Sequence, residues 1–461
     1  MKIFVLALIA VLLGGCSTTP TTTTSPIERR LAAPEKAFDT DGPITSLFHA
    51  TLYYPEQLDL RYDGYIVGIE KSPRATIGVG DDAALLAVRG LPLQGNGVRE
   101  SLDDGKRMFV SHIIRRRHGD RDRPVCALLN AYDKPKVEGG QFISPCQTYV
   151  RSSDAATAYE DSWKGMHAIA DDLLSARKNG HATYTHIVVV TMGWNTDQVE
   201  AIRNVNTITH NLVKTRPSMK PLVIAVTWPG LWQSGWADLP VKIASFPNKA
   251  EDADEVGLTW LGVLLHETLP QAGLGLPVIA IGHSFGGRAT AVAACSGPAI
   301  SNGIARQPVS AIDSVVILQG AFPTSRLFAE REIKAGQRAD CGHVRRLVMT
   351  ATESDRAIKI PGSLWQKNYS GDSASFAHYC GPGQDNLRCA QADKSGEVSG
   401  SRGKLDSNIL YVNTDKLMTE NAYLSGKFSG SHSDIFRVEH ATLIWKALES
   451  YPTPGTSASS P

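Results

Sequence analysis

The sequence predicts an α/β fold in which a mostly parallel sheet carries helices on both faces and follows an N-terminal extension. Two observations support this class. Continuous apolar runs, such as residues 185–191 and 221–227, alternate along the chain with segments of helical periodicity. Runs that are apolar throughout are typical of strands buried on both faces, as in parallel sheets. The 461 residues suffice for one elaborated domain of this class.

The order of the elements follows from the same patterns. Residues 31–150 are predicted to form a β-rich extension with strands at 65–69 and 108–114, and residues 151–450 the α/β domain. Residues 370–404 are rich in Gly and Ser, which indicates a long insertion. Within the domain, strands are predicted at 185–191, 221–227, 277–281, 312–318, 343–350 and 408–413, and helices at 154–178, 197–214, 254–269, 285–295 and 434–449.

The N-terminus has the pattern of a signal peptide, predicted over residues 1–15. Lys2 supplies positive charge, and the eleven apolar residues at 3–13 are too few to span a bilayer comfortably. Leu13-Gly14-Gly15-Cys16 resembles the lipobox of bacterial lipoproteins. That resemblance implies cleavage before Cys16 and acylation of its thiol. Ordinary secretory cleavage beside an unrelated cysteine is the alternative.

The segments that flank the predicted domain are low in apolar residues. Residues 16–30 are rich in Thr, Ser and Pro, which predicts a disordered tether, and residues 451–461 a disordered tail. Ser17, rather than an aspartate, follows the cysteine, and in lipoproteins this implies sorting to the outer membrane. We therefore expect a lipid-anchored protein of the cell envelope that faces the periplasm.

Charge and cysteine content narrow the class further. The chain has 47 basic and 46 acidic residues and a net charge of +1, so no nucleic-acid partner is expected. Of seven cysteines, Cys16 is assigned to lipid. The remaining six suit a disulfide framework in an oxidising compartment: Cys126, Cys146, Cys295, Cys341, Cys380 and Cys389. The first two and the last two would close the shortest loops, whereas Cys295 and Cys341 would either pair or stay as buried thiols.

The most informative motif is Gly282-His283-Ser284-Phe285-Gly286, which lies between a predicted strand and a predicted helix. A serine at such a sharp turn is held in a strained conformation that exposes its hydroxyl, which predicts a nucleophile. The backbone N–H of Phe285, at the start of the helix, would face a developing oxyanion. The alternative is a tight glycine turn with an incidental serine.

Residues 185–450 resemble the α/β-hydrolase superfamily, and the resemblance rests on this serine motif and on the chain order serine, acid, histidine. It implies an acid that follows a later strand. The run at 346–350 is such a strand, and we assign the acid to Asp355, with Glu353 as the second choice. A turn or helix-capping role is the alternative for Asp355.

The general base is expected on a loop before the last helix. His432 lies there between Gly430 and Asp434, and small neighbours would let its imidazole reach over the sheet. His440 falls inside the predicted helix and is interpreted as a packing or surface residue. His283 is interpreted as a packing or hydrogen-bonding neighbour of the nucleophile.

A second oxyanion donor is implied in the loop after an earlier strand, and we assign it to the backbone N–H of Trp194. The segments Met192-Gly-Trp-Asn195 and Trp228-Pro-Gly230 resemble those of an uncharacterised bacterial branch of the superfamily. That branch has histidine where Met192 stands, a departure that would fit a degenerate member.

The predicted function is a serine hydrolase that cleaves carboxylic esters through an acyl-enzyme, with a small-molecule or lipid ester as substrate and with no metal and no cofactor. Two alternatives stand beside it: a phospholipase or lipase acting on membrane lipids, and a non-catalytic envelope lipoprotein that retains the hydrolase fold. An apolar set after the second strand would form either an acyl-chain contact or lid, or part of the core: Trp228, Leu231, Trp232, Trp236, Leu239, Val241, Ile243 and Phe246.

Overall fold

The computed structural model describes residues 59–71, 108–131, 143–151, 158–180, 183–193, 198–228, 249–250, 252–300, 312–327, 341–359, 368–382, 387–404, 407–419 and 430–451. The predicted signal peptide, Cys16 and the predicted tether lie outside these residues, as does the predicted tail beyond Tyr451. Within the described part of the chain, no helix has both the length and the apolar character needed to cross a membrane.

The centre of the structure is a 12-stranded sheet. In chain order its strands are β1 (Gly64–Lys71), β2 (Met108–Arg116), β3 (Val125–Asn130), β4 (Pro145–Arg151), β5 (His186–Thr191), β6 (Pro221–Thr227), β7 (Val278–His283), β8 (Ser314–Leu318), β9 (Leu347–Ala351), β10 (Arg388–Ala392), β11 (Val398–Gly403) and β12 (Ile409–Asn413). Across the sheet they follow the order β11-β10-β12-β9-β8-β7-β5-β6-β1-β2-β3-β4.

Most of this sheet is parallel. Every neighbouring pair from β10 to β1 is parallel, whereas β11 and β2 join this central part by antiparallel pairing. At the far edge, β3 pairs antiparallel with β2 and parallel with β4. The predicted α/β class with a mostly parallel sheet is therefore confirmed.

Helices cover both faces of the sheet. Their bounds are α1 (Ala158–Lys178), α2 (Gln198–Thr215), α3 (Trp260–Val263), α4 (Leu269–Gln271), α5 (Phe285–Ser296), α6 (Ser373–Cys380) and α7 (Val438–Glu449), with a π-helical turn at Leu264–Thr268 and a 3₁₀ turn at Thr324–Leu327. Alternate residues of one strand belong to two cores. Val189 is part of the core that also holds side chains of α1, α3 and α5, and Val188 is part of the core that holds those of α2 and α7. This double burial explains why the strands are apolar throughout.

Part of the predicted N-terminal extension belongs to the same sheet. The strands expected at 65–69 and 108–114 are present as β1 and β2. Because β1 pairs in parallel with β6, it continues the sheet of the α/β region directly. The extension therefore adds four strands at one side of the sheet.

The region predicted as an insertion, residues 370–404, contains regular structure. It holds α6, β10 and β11, and β10 lies beside β12 in the parallel part of the sheet. Only three of the five residues of β10 are apolar, although four of them are buried, and most of β11 is exposed. Neither strand therefore shows the continuous apolar run that identified the others.

Three disulfides fasten elements around this sheet. The pairs predicted from loop length, Cys126–Cys146 and Cys380–Cys389, are both present. Cys295 and Cys341, which the sequence left either paired or as free thiols, form a third disulfide. It joins the end of α5 to the segment before β9.

Candidate active site

Ser284 occupies a sharp turn between β7 and α5. Its φ of 56° and ψ of −125° lie outside the regions that non-glycine residues ordinarily adopt. Such a conformation costs on the order of 1–3 kcal/mol and persists only where the surroundings enforce it. Here the Ser284 N–H donates to Leu318 O of the neighbouring strand at 3.1 Å, and Ser284 O accepts from Ala321 N at 3.0 Å. The strand, turn and helix predicted around this serine are all present.

Two glycines allow the backbone to close around the serine. A Cβ atom at Gly286 would lie 2.1 Å from the carbonyl oxygen of Thr191, at the end of β5. A Cβ atom at Gly193 would lie 2.6 Å from Ser284 Cβ and 3.2 Å from its Oγ. Only glycine fits at either position, so the loop after β5 lies directly against the serine side chain.

Asp355 lies beyond the end of β9 and is fully buried. Its Oδ1 accepts from the backbone N–H of Ile358 at 3.0 Å, and its Oδ2 lies 2.7 Å from His432 Nδ1. The carboxylate therefore both caps the short helical turn that follows and contacts an imidazole 77 residues away. Glu353, the second choice from the sequence, is exposed.

The loop that carries His432 is fastened to the loop that carries Asp355. Gly430 and Asp355 form an isolated antiparallel bridge, and the Ser431 N–H donates to Ser354 O at 3.0 Å. Because a carboxylate only accepts, the His432 nitrogen that faces Asp355 carries the proton. The other ring nitrogen, Nε2, is then the one able to accept a proton.

His283 links the serine turn to the His432 loop. It is the last residue of β7, immediately before Ser284, and its Nε2 donates to the backbone oxygen of His432 at 2.9 Å. The two rings lie 4.8 Å apart between centroids. Burial, together with the nearby His432, lowers the pKa of His283 to about 3, so the ring is neutral at ordinary pH. The sequence interpretation of a hydrogen-bonding neighbour matches this contact.

His440 is a packing residue at the start of α7. It is 1% exposed, and its Nδ1 accepts from the backbone N–H of Arg437 at 3.1 Å. Burial lowers its pKa to about 4. Among the described residues, no hydrogen bond links its ring to Ser284.

The loop after β5 is fixed by an indole. Met192 is buried in the core, and its carbonyl oxygen accepts from Trp228 Nε1 at 2.8 Å. Trp194, the assigned second oxyanion donor, lies outside the described residues, as does every member of the apolar set after Trp228. Phe285, the other assigned donor, is the first residue of α5, where backbone N–H groups point out of the helix end.

Sequence reasoning missed the ion pair that braces the His432 loop. Asp434 is fully buried, and its carboxylate accepts from Arg437 Nε and Nη2 at 2.9 and 2.8 Å and from the backbone N–H of Thr419 at 2.9 Å. The loop is therefore held two residues after His432. The i, i+3 spacing of Asp434 and Arg437 was a readable signal.

A second missed cluster holds the first turn of the helix that follows the serine. Asp254 is fully buried and receives two hydrogen bonds from Arg288, both 2.7 Å, and two from Arg326, at 3.0 and 3.1 Å. Arg288 is in the first turn of α5, so this network fixes the helix that follows Ser284. No sequence pattern connects residues so far apart in the chain.

The site thus contains the strained Ser284, the buried His283 that bonds to the His432 carbonyl, and the contact between His432 and Asp355. Among the described residues, no hydrogen bond links Ser284 Oγ to the His432 ring, and no group of three or more His, Cys, Asp or Glu side chains is placed to hold a metal ion. The residues present have the chemistry of nucleophile, base and orienting acid.

No protein-family model and no curated protein matches the chain. One similar solved structure is the cutinase of Trichoderma reesei in complex with a C11Y4 phosphonate inhibitor. It is 13% identical over a match that covers 39% of this chain and 71% of the cutinase chain, with a TM-score of 0.17. At this TM-score the likeness carries no weight, and the function is inferred from the site alone.

Proposed function

We propose that the protein is a serine hydrolase of the α/β-hydrolase type that cleaves carboxylic esters. The observation that carries this proposal is the 2.7 Å contact of His432 Nδ1 with the buried Asp355 carboxylate, beside a serine held in a strained turn. A serine hydroxyl is a weak nucleophile at neutral pH and needs both a base and a group that orients the base. All three residue types occur here at one edge of the sheet.

The proposed reaction proceeds in two halves. Ser284 Oγ attacks the ester carbonyl carbon while His432 Nε2 takes the hydroxyl proton, and Asp355 stabilises the resulting imidazolium. The tetrahedral intermediate collapses as the C–O bond breaks, and His432 returns the proton to the departing alcohol. Water then attacks the acyl-enzyme with His432 again as base, which releases the acid and restores Ser284.

Charge on the tetrahedral oxygen requires hydrogen-bond donors. The N–H of Phe285 is the first proposed donor and that of Trp194 the second. Support comes from Gly193, the residue before Trp194 in the chain, whose backbone lies against the Ser284 side chain. Donors of this kind are worth about 10²–10³ in rate each.

The proposed location remains the cell envelope, with the protein anchored by lipid on Cys16 and acting on small-molecule or lipid esters. The three disulfides are compatible with an oxidising compartment. Activity on micellar esters well above that on soluble esters would favour the lipase alternative, because only a lipid-surface enzyme gains from the interface.

The proposal is tested by covalent labelling with a fluorophosphonate, which reacts with activated serines. The wild-type protein is expected to be labelled, and Ser284→Ala to be unlabelled. Ser399→Ala, an exposed serine on β11, serves as the matched control and should label like the wild type. A folded wild-type protein that resists labelling would instead support the non-catalytic alternative. Labelling retained in Ser284→Ala would exclude Ser284 as the nucleophile.

A further inference from the structure

The ring of His283 holds the backbone of the proposed base. Its Nε2 lies 2.9 Å from the carbonyl oxygen of His432, and its side chain is almost fully enclosed, with the residue 6% exposed. A carbonyl oxygen can only accept, so His283 Nε2 must carry the proton in this contact. The contact therefore fixes the tautomer of His283 as well as the position of the His432 carbonyl.

This donor is neutral. Burial and the neighbouring His432 both disfavour protonation of His283, and its pKa is lowered to about 3. Neutrality matters because the two rings are only 4.8 Å apart. A cation at position 283 would repel the imidazolium that forms on His432 during acyl transfer, whereas a neutral imidazole leaves that charge to Asp355.

His283 is also rigidly placed. It closes β7, pairs with Leu318 of β8, and precedes Ser284 directly in the chain. The His432 loop is also held to the Asp355 loop, through Ser431 and through the His432 ring, and to Thr419 through Asp434. His283 thus provides a direct tie between the loop of the base and the turn of the nucleophile.

We infer that His283 is a positioning residue, whose Nε2–H keeps the His432 loop in register with the Ser284 turn through the His432 carbonyl oxygen. The inference deepens the proposed function and rests on it, because it concerns the same serine and the same histidine. It assigns His283 no contact with the substrate and no proton transfer.

Two substitutions separate the hydrogen bond from simple packing. His283→Gln places an amide N–H near the position of Nε2, whereas His283→Leu fills a similar space with no donor. For His283→Leu we expect about tenfold slower fluorophosphonate labelling and a similar fall in kcat on p-nitrophenyl butyrate, with KM little changed, since one hydrogen bond is lost. His283→Gln should recover most of the rate. If His283→Leu does not fold, His283→Asn, whose amide is too short to reach, replaces it.

A spectroscopic measurement reports on positioning without depending on turnover. The Nδ1 proton of His432, shared with Asp355, should give a far-downfield ¹H NMR resonance in the wild type and in His283→Gln. In His283→Leu this resonance should broaden or shift upfield, because the loop that carries the imidazole is released on one side.

The outcomes are distinguishable. Unchanged labelling and an unchanged resonance in a folded His283→Leu would overturn the inference. Equal losses in the Leu and Gln variants, tracking their free energies of unfolding, would overturn it in favour of packing. If the wild type is not labelled, the proposed hydrolase function fails, and the His432 resonance alone then decides whether His283 positions that loop.

Discussion

Asp355 serves two partners at once. One carboxylate oxygen accepts from Ile358 N and the other contacts His432 Nδ1. The backbone partner orients the carboxylate before any substrate binds, and burial keeps water from competing for it. In the proposed mechanism, the carboxylate fixes the tautomer of His432, so that the other ring nitrogen is free to accept the serine proton.

Asp355→Asn is therefore expected to lower kcat by about 10³-fold or more, because an amide can turn its NH₂ group to the imidazole and favour the wrong tautomer. Rates of ester hydrolysis by the purified variant test this. Glu353→Gln, two residues away and exposed, is the matched control and should keep the wild-type rate. A large loss in Glu353→Gln with little loss in Asp355→Asn would transfer the role to the other carboxylate.

At the scale of elements, the proposed chemistry depends on loops that are held by hydrogen bonds to their backbone. Trp228, just after β6, holds the loop after β5 through Met192 O, and His283 holds the loop before α7 through His432 O. Backbone carbonyls hold loops without imposing a residue type on the loop itself. The indole of Trp228 binds the carbonyl oxygen of Met192, so this contact does not depend on the side chain at position 192.

Trp228→Phe removes this indole donor and keeps an aromatic ring. We expect the rate of fluorophosphonate labelling to fall about tenfold, because the loop against Ser284 loses a buried hydrogen bond. Trp445→Phe is the matched control, since its indole donates to Leu212 O at 3.1 Å on the other face of the sheet. It should lose about 1 kcal/mol of stability and label at the wild-type rate. Equal labelling of both variants would contradict this role for Trp228.

The limits of sequence prediction are visible at the same scale. Helix α7 begins at Val438, four residues after its predicted start, because Asp434 pairs with Arg437 in the segment before the helix. Strands β10 and β11 were missed because their residues are short of apolar character or exposed. By contrast, the strands of the parallel centre are buried on both faces. Their sequences are therefore continuous apolar runs, which identify them as strands.

Residue assignments show a similar division. Chain order suggested Asp355 and His432 as partners, and the structure places their side chains in contact although 77 residues separate them. Such contacts are expected because loops at one end of a parallel sheet converge. The link from His283 to the His432 carbonyl and the link from Trp228 to the Met192 carbonyl were not found. Hydrogen bonds to backbone oxygen leave no pattern in the sequence of the accepting segment, so they become visible only with the fold.

For the whole molecule, two buried histidines couple folding to pH. His283 and His440 have pKa values lowered from 6.5 to about 3 and about 4, so the folded protein keeps both neutral through mildly acidic conditions. The unfolded chain instead takes up protons at about pH 6.5. The free energy of unfolding that depends on these two histidines being neutral is fully present above pH 6.5. It is lost as the pH falls from 6.5 toward the folded pKa values.

Urea unfolding at pH 7 and pH 4.5 measures this coupling. His440→Gln removes one titrating group, so its free energy of unfolding should fall by about 2 kcal/mol less than that of the wild type over this interval. His210→Gln, at an exposed position of α2, is the comparison and should follow the wild type. A pH dependence of stability that is identical in wild type and His440→Gln would contradict neutral burial of His440.

The edge strand β11 has a consequence for behaviour at high concentration. Four of its six residues are exposed, they include Arg402, and Gly400 has a φ of +67°. A guanidinium and a left-handed glycine on a short strand make a poor template for addition of a strand from another molecule. This edge of the sheet is thus protected against aggregation. Replacing Arg402 and the serines of β11 with valine would leave an exposed apolar edge strand that could pair with strands of other molecules.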